Sequence, residues 1–125
     1  MKFINFFKFL YKFKFFKRIV PSILRKINKN HIFNIYNFKI NGSLSDSIER
    51  ETFLTGFYDK DRFDFLNKFV HNYNFEYFYD IGSYIGFYSL YFSHFIKIPN
   101  VISFEPNEIN FKRLKNNIAL NNSNI

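Results

Sequence analysis

The sequence predicts an α/β fold, and two observations within residues 77–105 carry that prediction. The stretch YFYDIGSYIGFYSLYFSHFIKIPNVISFE has the pattern of a strand, a glycine turn, a helix, a loop and a second strand. An acidic residue stands at the end of each strand, Asp80 at the first and Glu105 at the second. This order is that of a βαβ unit, whose ligands bind beyond the carboxyl ends of the strands.

Length and charge bound the rest of the chain. The 125 residues make at most one small domain, and the 21 Phe and 9 Tyr are explained by a compositional bias rather than by selection for stacking. The net charge of +8 is concentrated in residues 1–30, which hold nine Lys and Arg and no acid. Residues 31–125 carry nine basic and ten acidic side chains, so we expect no nucleic acid as partner of the folded part.

Residues 1–30 form a basic, aromatic arm. Lysines interrupt its apolar runs far short of the roughly 18 residues that a membrane-spanning helix needs, and no export signal is evident, so we expect a cytoplasmic protein. If the arm were one helix, its lysines would face nearly all round it, which disfavours a clean interfacial helix. Weak contact with a membrane surface and a loosely ordered or self-packing extension both remain open, and Pro21 is expected to break any helix.

Residues 31–75 are predicted to lead into the βαβ unit with a strand and helices. The strand ends near Ile40, and Asn41-Gly42 is predicted to form a turn. Asp46 and Glu49 have the spacing of a capping box, and Gly56 is placed to end that helix. We expect Asp59 to cap the next helix, with a core-facing stripe of Phe63, Leu66, Phe69 and Val70.

The glycine turn has the spacing D-x-G-x-x-x-G, from Asp80 to Gly86. A dinucleotide fingerprint requires glycine where Tyr84 and Phe87 stand, and a P-loop requires Gly and Lys at the positions of Phe87 and Tyr88. Between Arg62 and Lys97 the only basic residue is Lys68, so the partners of a triphosphate are missing. A neutral or cationic adenosine ligand fits better, with Gly82 and Gly86 allowing close approach of the backbone.

Glu105 follows the second strand, 25 residues after Asp80, which is the position of a ribose-hydroxyl acceptor in such folds. Pro106 stiffens the exit from the strand, and Asn107 is a favourable N-cap for a helix with Phe111, Leu114 and Ile118 on one face. No cysteine is present, and the three histidines lack metal-ligand spacing, so no metal is expected.

The segments FYDIGSYIGFYSL and VISFEPNEINFKRLKNNIALN together resemble the FkbM-type S-adenosylmethionine-dependent methyltransferases, whose patterns are D-[VI]-G-A-N-x-G and FEPN. IERETFLTGFYDKDRFDFL also resembles the region before them in that family. The resemblance spans roughly residues 42–122 and makes residues 76–125 the N-terminal part of a Rossmann-like methyltransferase domain. Ser83 and Tyr84 stand where the family has Ala and Asn.

The resemblance implies S-adenosylmethionine as cofactor and transfer of its methyl group to an oxygen of a small-molecule or glycan-type acceptor. It places Asp80, Gly82, Ser83 and Gly86 at the methionine and ribose end of the cofactor. Glu105 would meet the ribose hydroxyls, and Pro106 with Asn107 would line the adenine side.

The resemblance also implies a domain truncated after its second strand and helix. We therefore expect a cofactor half-site that is inactive alone and a strand with an unpaired, aggregation-prone edge. The chain is then either a truncated gene product or one half of a split one, whose second chain supplies the remainder. The alternative is a non-catalytic gene product whose basic arm binds a membrane surface or an acidic partner.

Overall fold

The computed structural model describes residues 2–27 and 29–125, with side chains omitted at positions 2–4. Met1, Asn28 and the side chains at positions 2–4 all belong to the predicted arm and lie outside what is described. The fold is mixed α/β with two small sheets. Its elements are α1 (Lys2–Leu10), α2 (Phe16–Leu24), β1 (Asn30–Ile35), β2 (Phe38–Ser43), α3 (Ser47–Thr55), α4 (Lys60–Val70), β3 (Tyr77–Ile81), α5 (Phe87–Leu90), a π-helical turn (Tyr91–Ile96), β4 (Asn100–Phe104) and α6 (Glu108–Leu120).

The first sheet is an antiparallel hairpin, and it corrects the predicted turn at Asn41-Gly42. The chain reverses at Tyr36 and Asn37, so that Ile35 pairs with Phe38. Tyr36 adopts a φ of +50°, which a two-residue hairpin turn requires. Its ring is held there by packing against Phe63, Tyr91 and other aromatic rings, so tertiary contacts override the turn propensity of Asn-Gly.

Gly42 lies inside β2, at a position that has no room for a side chain. A Cβ at this position would be 2.8 Å from the ring of Phe33 and 3.1 Å from a carboxylate oxygen of Glu49. The glycine therefore marks a close approach between the hairpin and α3 rather than a turn.

The helix caps agree in part with the sequence. Asp46 accepts hydrogen bonds from the backbone N–H groups of Ile48 and Glu49, and Gly56 ends α3 with a φ of +80°, as predicted. Glu49 does not close the capping box, since its carboxylate turns into the core. Asp59 stands at the start of α4 but makes no capping bond; it pairs with Arg62 instead, at 3.0 Å.

The basic arm packs on the body of the protein. Phe7 of α1 and Val20 and Leu24 of α2 are buried in the same core as the hairpin and α5. The prediction that Pro21 breaks a helix is wrong, because α2 continues through it to Leu24. The amide of Arg25 still bonds to the carbonyl of Pro21, so the helix loses only the bond that proline cannot donate.

The predicted stripe of α4 is confirmed except at one position. Phe63 is fully buried and stacks on Tyr91 with the ring centroids 4.1 Å apart, and Leu66 and Val70 pack at the border of the core. Phe69 is 45% exposed and contacts Tyr73 and Phe75 instead.

The second sheet contains the predicted parallel pair, in which Tyr77 is opposite Asn100 and Ile81 is opposite Phe104. Only one face of β3 is covered. The other face is exposed on both strands, with Ile81 at 77%. Within the described residues β3 and β4 pair only with each other, so both outer edges are unpaired.

We predict that Gly42→Ala destabilises the protein by about 1–3 kcal/mol, because the added methyl overlaps the buried ring of Phe33 and crowds the buried carboxylate of Glu49. Urea unfolding measures the change. Lys39→Ala, on the exposed face of the same strand, is the control and is expected to stay within about 0.5 kcal/mol of the wild type. Equal stability of Gly42→Ala and wild type would contradict the hairpin register.

Candidate functional site

The glycine turn between β3 and α5 is tied to the end of β4. The backbone N–H groups of Gly82 and Ser83 both donate to the carbonyl oxygen of Phe104, at 2.8 and 3.0 Å. The hydroxyl of Ser83 donates to the carbonyl of Asp80 at 2.8 Å, which closes the turn from inside. The turn and the carboxyl end of the neighbouring strand therefore form one unit.

The two glycines of the motif have different tasks. Gly82 has a φ of +84°, is exposed, and a Cβ placed on it would meet nothing within 4 Å. Gly86 has a φ of +97° and is buried, and a Cβ there would be 2.8 Å from a methyl group of Leu114 on α6. Gly82 thus leaves the backbone open to a ligand, whereas Gly86 permits helix α6 to pack closely.

Glu105 is the acid that faces the turn. One oxygen of its carboxylate accepts the backbone N–H of Tyr84 at 2.7 Å, and the other accepts the N–H of Asn107 at 2.9 Å. A carboxylate has about four acceptor positions, so each oxygen retains capacity for another donor. The side chain is partly exposed and is oriented by backbone groups on both sides.

Asn107 caps α6 as predicted. Its side-chain oxygen accepts the N–H groups of Ile109 and Asn110, at 3.1 and 3.0 Å. Pro106 is exposed between Glu105 and this cap. The strand tip, the proline and the helix start therefore form a short exposed ledge beside Gly82.

Asp80 points into the protein. It is 8% exposed, and its carboxylate accepts the hydroxyl of Ser89 at 2.5 Å. Burial raises the pKa of Asp80, the Ser89 hydrogen bonds oppose that rise, and the negative charge of Glu105 adds to it. The carboxylates of Asp80 and Glu105 thus lie near enough to repel each other electrostatically, but only Glu105 faces solvent.

The structure brings all seven predicted site residues to one end of the parallel pair. Those with exposed or partly exposed surface are Gly82, Glu105, Pro106 and Asn107, and those buried are Asp80, Ser83 and Gly86.

Sequence reasoning missed a buried ionic network behind the turn. Glu49 of α3 is completely buried; one of its oxygens accepts the hydroxyl of Tyr84 at 2.5 Å. The other accepts the N–H of Ser43 and a guanidinium N–H of Arg113, each at 2.5 Å. One carboxylate therefore connects the hairpin, the glycine turn and α6. The spacing along α3 indicates that Glu49 is buried, because Glu49 lies three residues before Thr52 and four before Phe53, and these positions share one helix face.

Two asparagines of α6 complete the support. Asn117, fully buried, accepts the N–H of Asn41 at 2.8 Å and donates to the carbonyl of Ile85 at 2.9 Å. Asn121 accepts the N–H of Lys39 and donates to its carbonyl, both at 2.7 Å. These side chains pair with the edge of β2 at alternate residues, which protects that edge and fixes α6 against the hairpin.

Within residues 2–27 and 29–125, no group of His, Asp and Glu side chains is arranged to hold a metal ion. No helix among these residues has both the length and the apolar character needed to cross a bilayer. No protein-family model, curated protein or solved structure matches the chain. The site is therefore defined by its geometry alone.

We predict that Asp80→Asn changes how stability depends on pH. A carboxyl whose pKa is higher in the folded state stabilises that state most at acidic pH, and the contribution is lost as pH rises through the folded pKa. Asparagine keeps an acceptor for Ser89 without a charge, so the variant should gain stability relative to wild type at pH 7 and lose that advantage below pH of about 4. Thermal unfolding from pH 3.5 to 8 measures this.

Glu108→Gln is the matched control, because Glu108 is an exposed carboxylate on α6. Parallel pH profiles for wild type and Asp80→Asn would contradict the inward placement of Asp80.

Proposed function

We propose that the chain binds S-adenosylmethionine at the carboxyl ends of β3 and β4, as the cofactor half-site of an FkbM-type methyltransferase. The observation that carries the proposal is the hydrogen bond from the Tyr84 amide to the Glu105 carboxylate, which holds a strand-tip acid beside an open glycine turn. This arrangement supports a ligand that combines a ribose with an uncharged base, as expected from the sequence.

The residues at the strand tips fit such a cofactor. Glu105 has unused acceptor capacity on both oxygens for the two ribose hydroxyls, and its partial burial strengthens charged hydrogen bonds. The open space at Gly82 leaves room for a ligand against the backbone. Pro106 and Asn107 offer an exposed ledge for a flat ring. Residues 77–105 include only Lys97 as a basic residue, which favours an adenosyl sulfonium over a polyphosphate.

Asp80, Ser83 and Gly86 take a supporting part in this proposal. The carboxylate of Asp80 accepts the hydroxyl of Ser89, and the hydroxyl of Ser83 donates to the backbone carbonyl of Asp80. Gly86 lies against Leu114, so all three residues make their contacts within the protein. They fix the shape of the turn, and the negative charge of Asp80 behind it favours a cationic ligand.

The bound cofactor would supply an activated methyl group for an oxygen acceptor. The described residues bind and orient the adenosine end, which is the alignment that methyl transfer mainly requires from the protein. The small-molecule or glycan-type acceptor and the second chain implied by the resemblance belong to this proposal as well.

The experiment is isothermal titration of the full chain with S-adenosylmethionine. We expect saturable binding that weakens about 10–100-fold in Glu105→Ala, because charged hydrogen bonds to the ribose are lost. Glu108→Ala, which removes an exposed carboxylate three residues further along the chain at the start of α6, should bind like wild type. Far-UV circular dichroism confirms that both variants fold.

Absence of saturable binding by the folded wild type at millimolar cofactor would overturn the proposal. Equal affinity of wild type and Glu105→Ala would overturn the role given to Glu105.

A further inference from the structure

The turn that joins α1 to α2, residues 11–15, presents exposed aromatic rings. Phe13 is 51% exposed and Phe15 is 75% exposed. The turn has a defined backbone, because the N–H of Phe13 donates to the carbonyl of Leu10 and the N–H of Phe16 donates to that of Phe13, both at 3.0 Å. Two large apolar side chains are therefore held in solvent on an ordered support.

Both helices that carry this turn are anchored to the body. Val20 and Leu24 are buried in the core, and the ammonium group of Lys8 lies 5.7 Å from the centre of the Phe53 ring on α3. The hydroxyl of Tyr11 donates to the carboxylate of Glu51 at 3.1 Å. The turn is thus presented by a packed helical pair, at low cost in conformational entropy on binding.

Positive charge surrounds the two rings. The exposed basic side chains next to them are Lys12, Lys14, Lys17 and Arg18. Among the described residues none of these four has a carboxylate within 4 Å, and the first acidic residue of the sequence is Asp46. Burial lowers the pKa of Lys8, and the positive charge of nearby Lys12 adds to that decrease.

The helix boundaries remove the objection that the sequence raised against an interfacial role. That objection assumed one continuous helix with lysines all round it, whereas α1 ends at Leu10 and α2 begins at Phe16. The cations at positions 12–18 consequently gather at the turn. Aromatic rings flanked by Lys and Arg are the composition that binds at the interface of an anionic bilayer.

We propose that the α1–α2 turn docks on anionic lipid membranes, with Phe13 and Phe15 entering the interfacial region and the four flanking cations contacting lipid phosphates. A lipid surface fits better than a nucleic acid, because it takes up the apolar rings while its phosphates pair with the charges. In the described structure the rings are paired edge-on, Phe9 with Phe13 and Phe15 with Phe16, so their faces are not arranged as a row of base-stacking platforms.

The test is flotation of the full chain with vesicles of phosphatidylcholine containing 30% phosphatidylglycerol, compared with phosphatidylcholine alone. We expect binding to the anionic vesicles that falls as NaCl rises from about 0.05 to 0.5 M, since salt screens exposed charges. Phe13→Ser/Phe15→Ser should weaken binding at least tenfold. The control Phe65→Ser removes a ring that is 65% exposed on α4 and should bind like wild type.

A charge series completes the test. Lys12→Gln/Lys14→Gln/Arg18→Gln should weaken binding on the order of 100-fold, because each basic residue near an anionic surface contributes about a factor of five. Lys68→Gln/Lys112→Gln/Lys115→Gln has the same net charge and should have a much smaller effect. All of these positions are exposed, and circular dichroism confirms folding.

Three results would overturn the proposal: equal binding to neutral and anionic vesicles, equal losses in the two charge series, or binding to a DNA duplex of 20 base pairs without binding to vesicles. None of these outcomes depends on S-adenosylmethionine binding.

Discussion

The rest of the structure depends on the hydrogen bonds and the ion pair that the completely buried carboxylate of Glu49 makes. It accepts donors from the hairpin, the glycine turn and α6, through Ser43, Tyr84 and Arg113. A buried charge is costly unless it is paired and fully hydrogen-bonded, so these elements must come together for any of them to be stable around it. Gly42 belongs to the same arrangement, because a side chain there would crowd the Glu49 oxygen as well as the Phe33 ring.

The candidate site sits directly on this network. Tyr84 donates its hydroxyl to Glu49 and its amide to Glu105, so one residue connects the buried carboxylate with the exposed one. Tyr84 also adopts a φ of +53°, which costs a non-glycine residue energy and persists only where surrounding contacts hold it. The structure therefore positions Glu105 in advance, and a ligand at the strand tips would not have to order it.

Local patterns in the sequence were sufficient for the βαβ unit, the caps at Asp46 and Asn107, and the helix stop at Gly56, because those features depend on neighbours within a few residues. Features set by distant partners were not predictable. The hairpin reverses at Tyr36 because aromatic rings from α4 and the π-helical turn pack against that residue. Glu49 makes no capping bond, since its carboxylate binds partners 35 and 64 residues away in the sequence. In the site, spacing predicted which residues gather but not that Asp80 turns inward to Ser89. The cofactor, the reaction and the Rossmann-like assignment remain predictions.

The most direct measurement of the central claim is hydrogen exchange at the backbone amide of position 84, in wild type and in Tyr84→Phe. That substitution keeps the ring and the amide and removes only the hydroxyl bonded to Glu49. We predict that the amide is protected in wild type, because it is bonded to Glu105, and that it exchanges at least tenfold faster in the variant. The comparison is made at a pH where the β1–β2 hairpin is equally protected in both proteins. An amide that exchanges in wild type as fast as in an unstructured peptide, or at the same rate in both proteins, would contradict it.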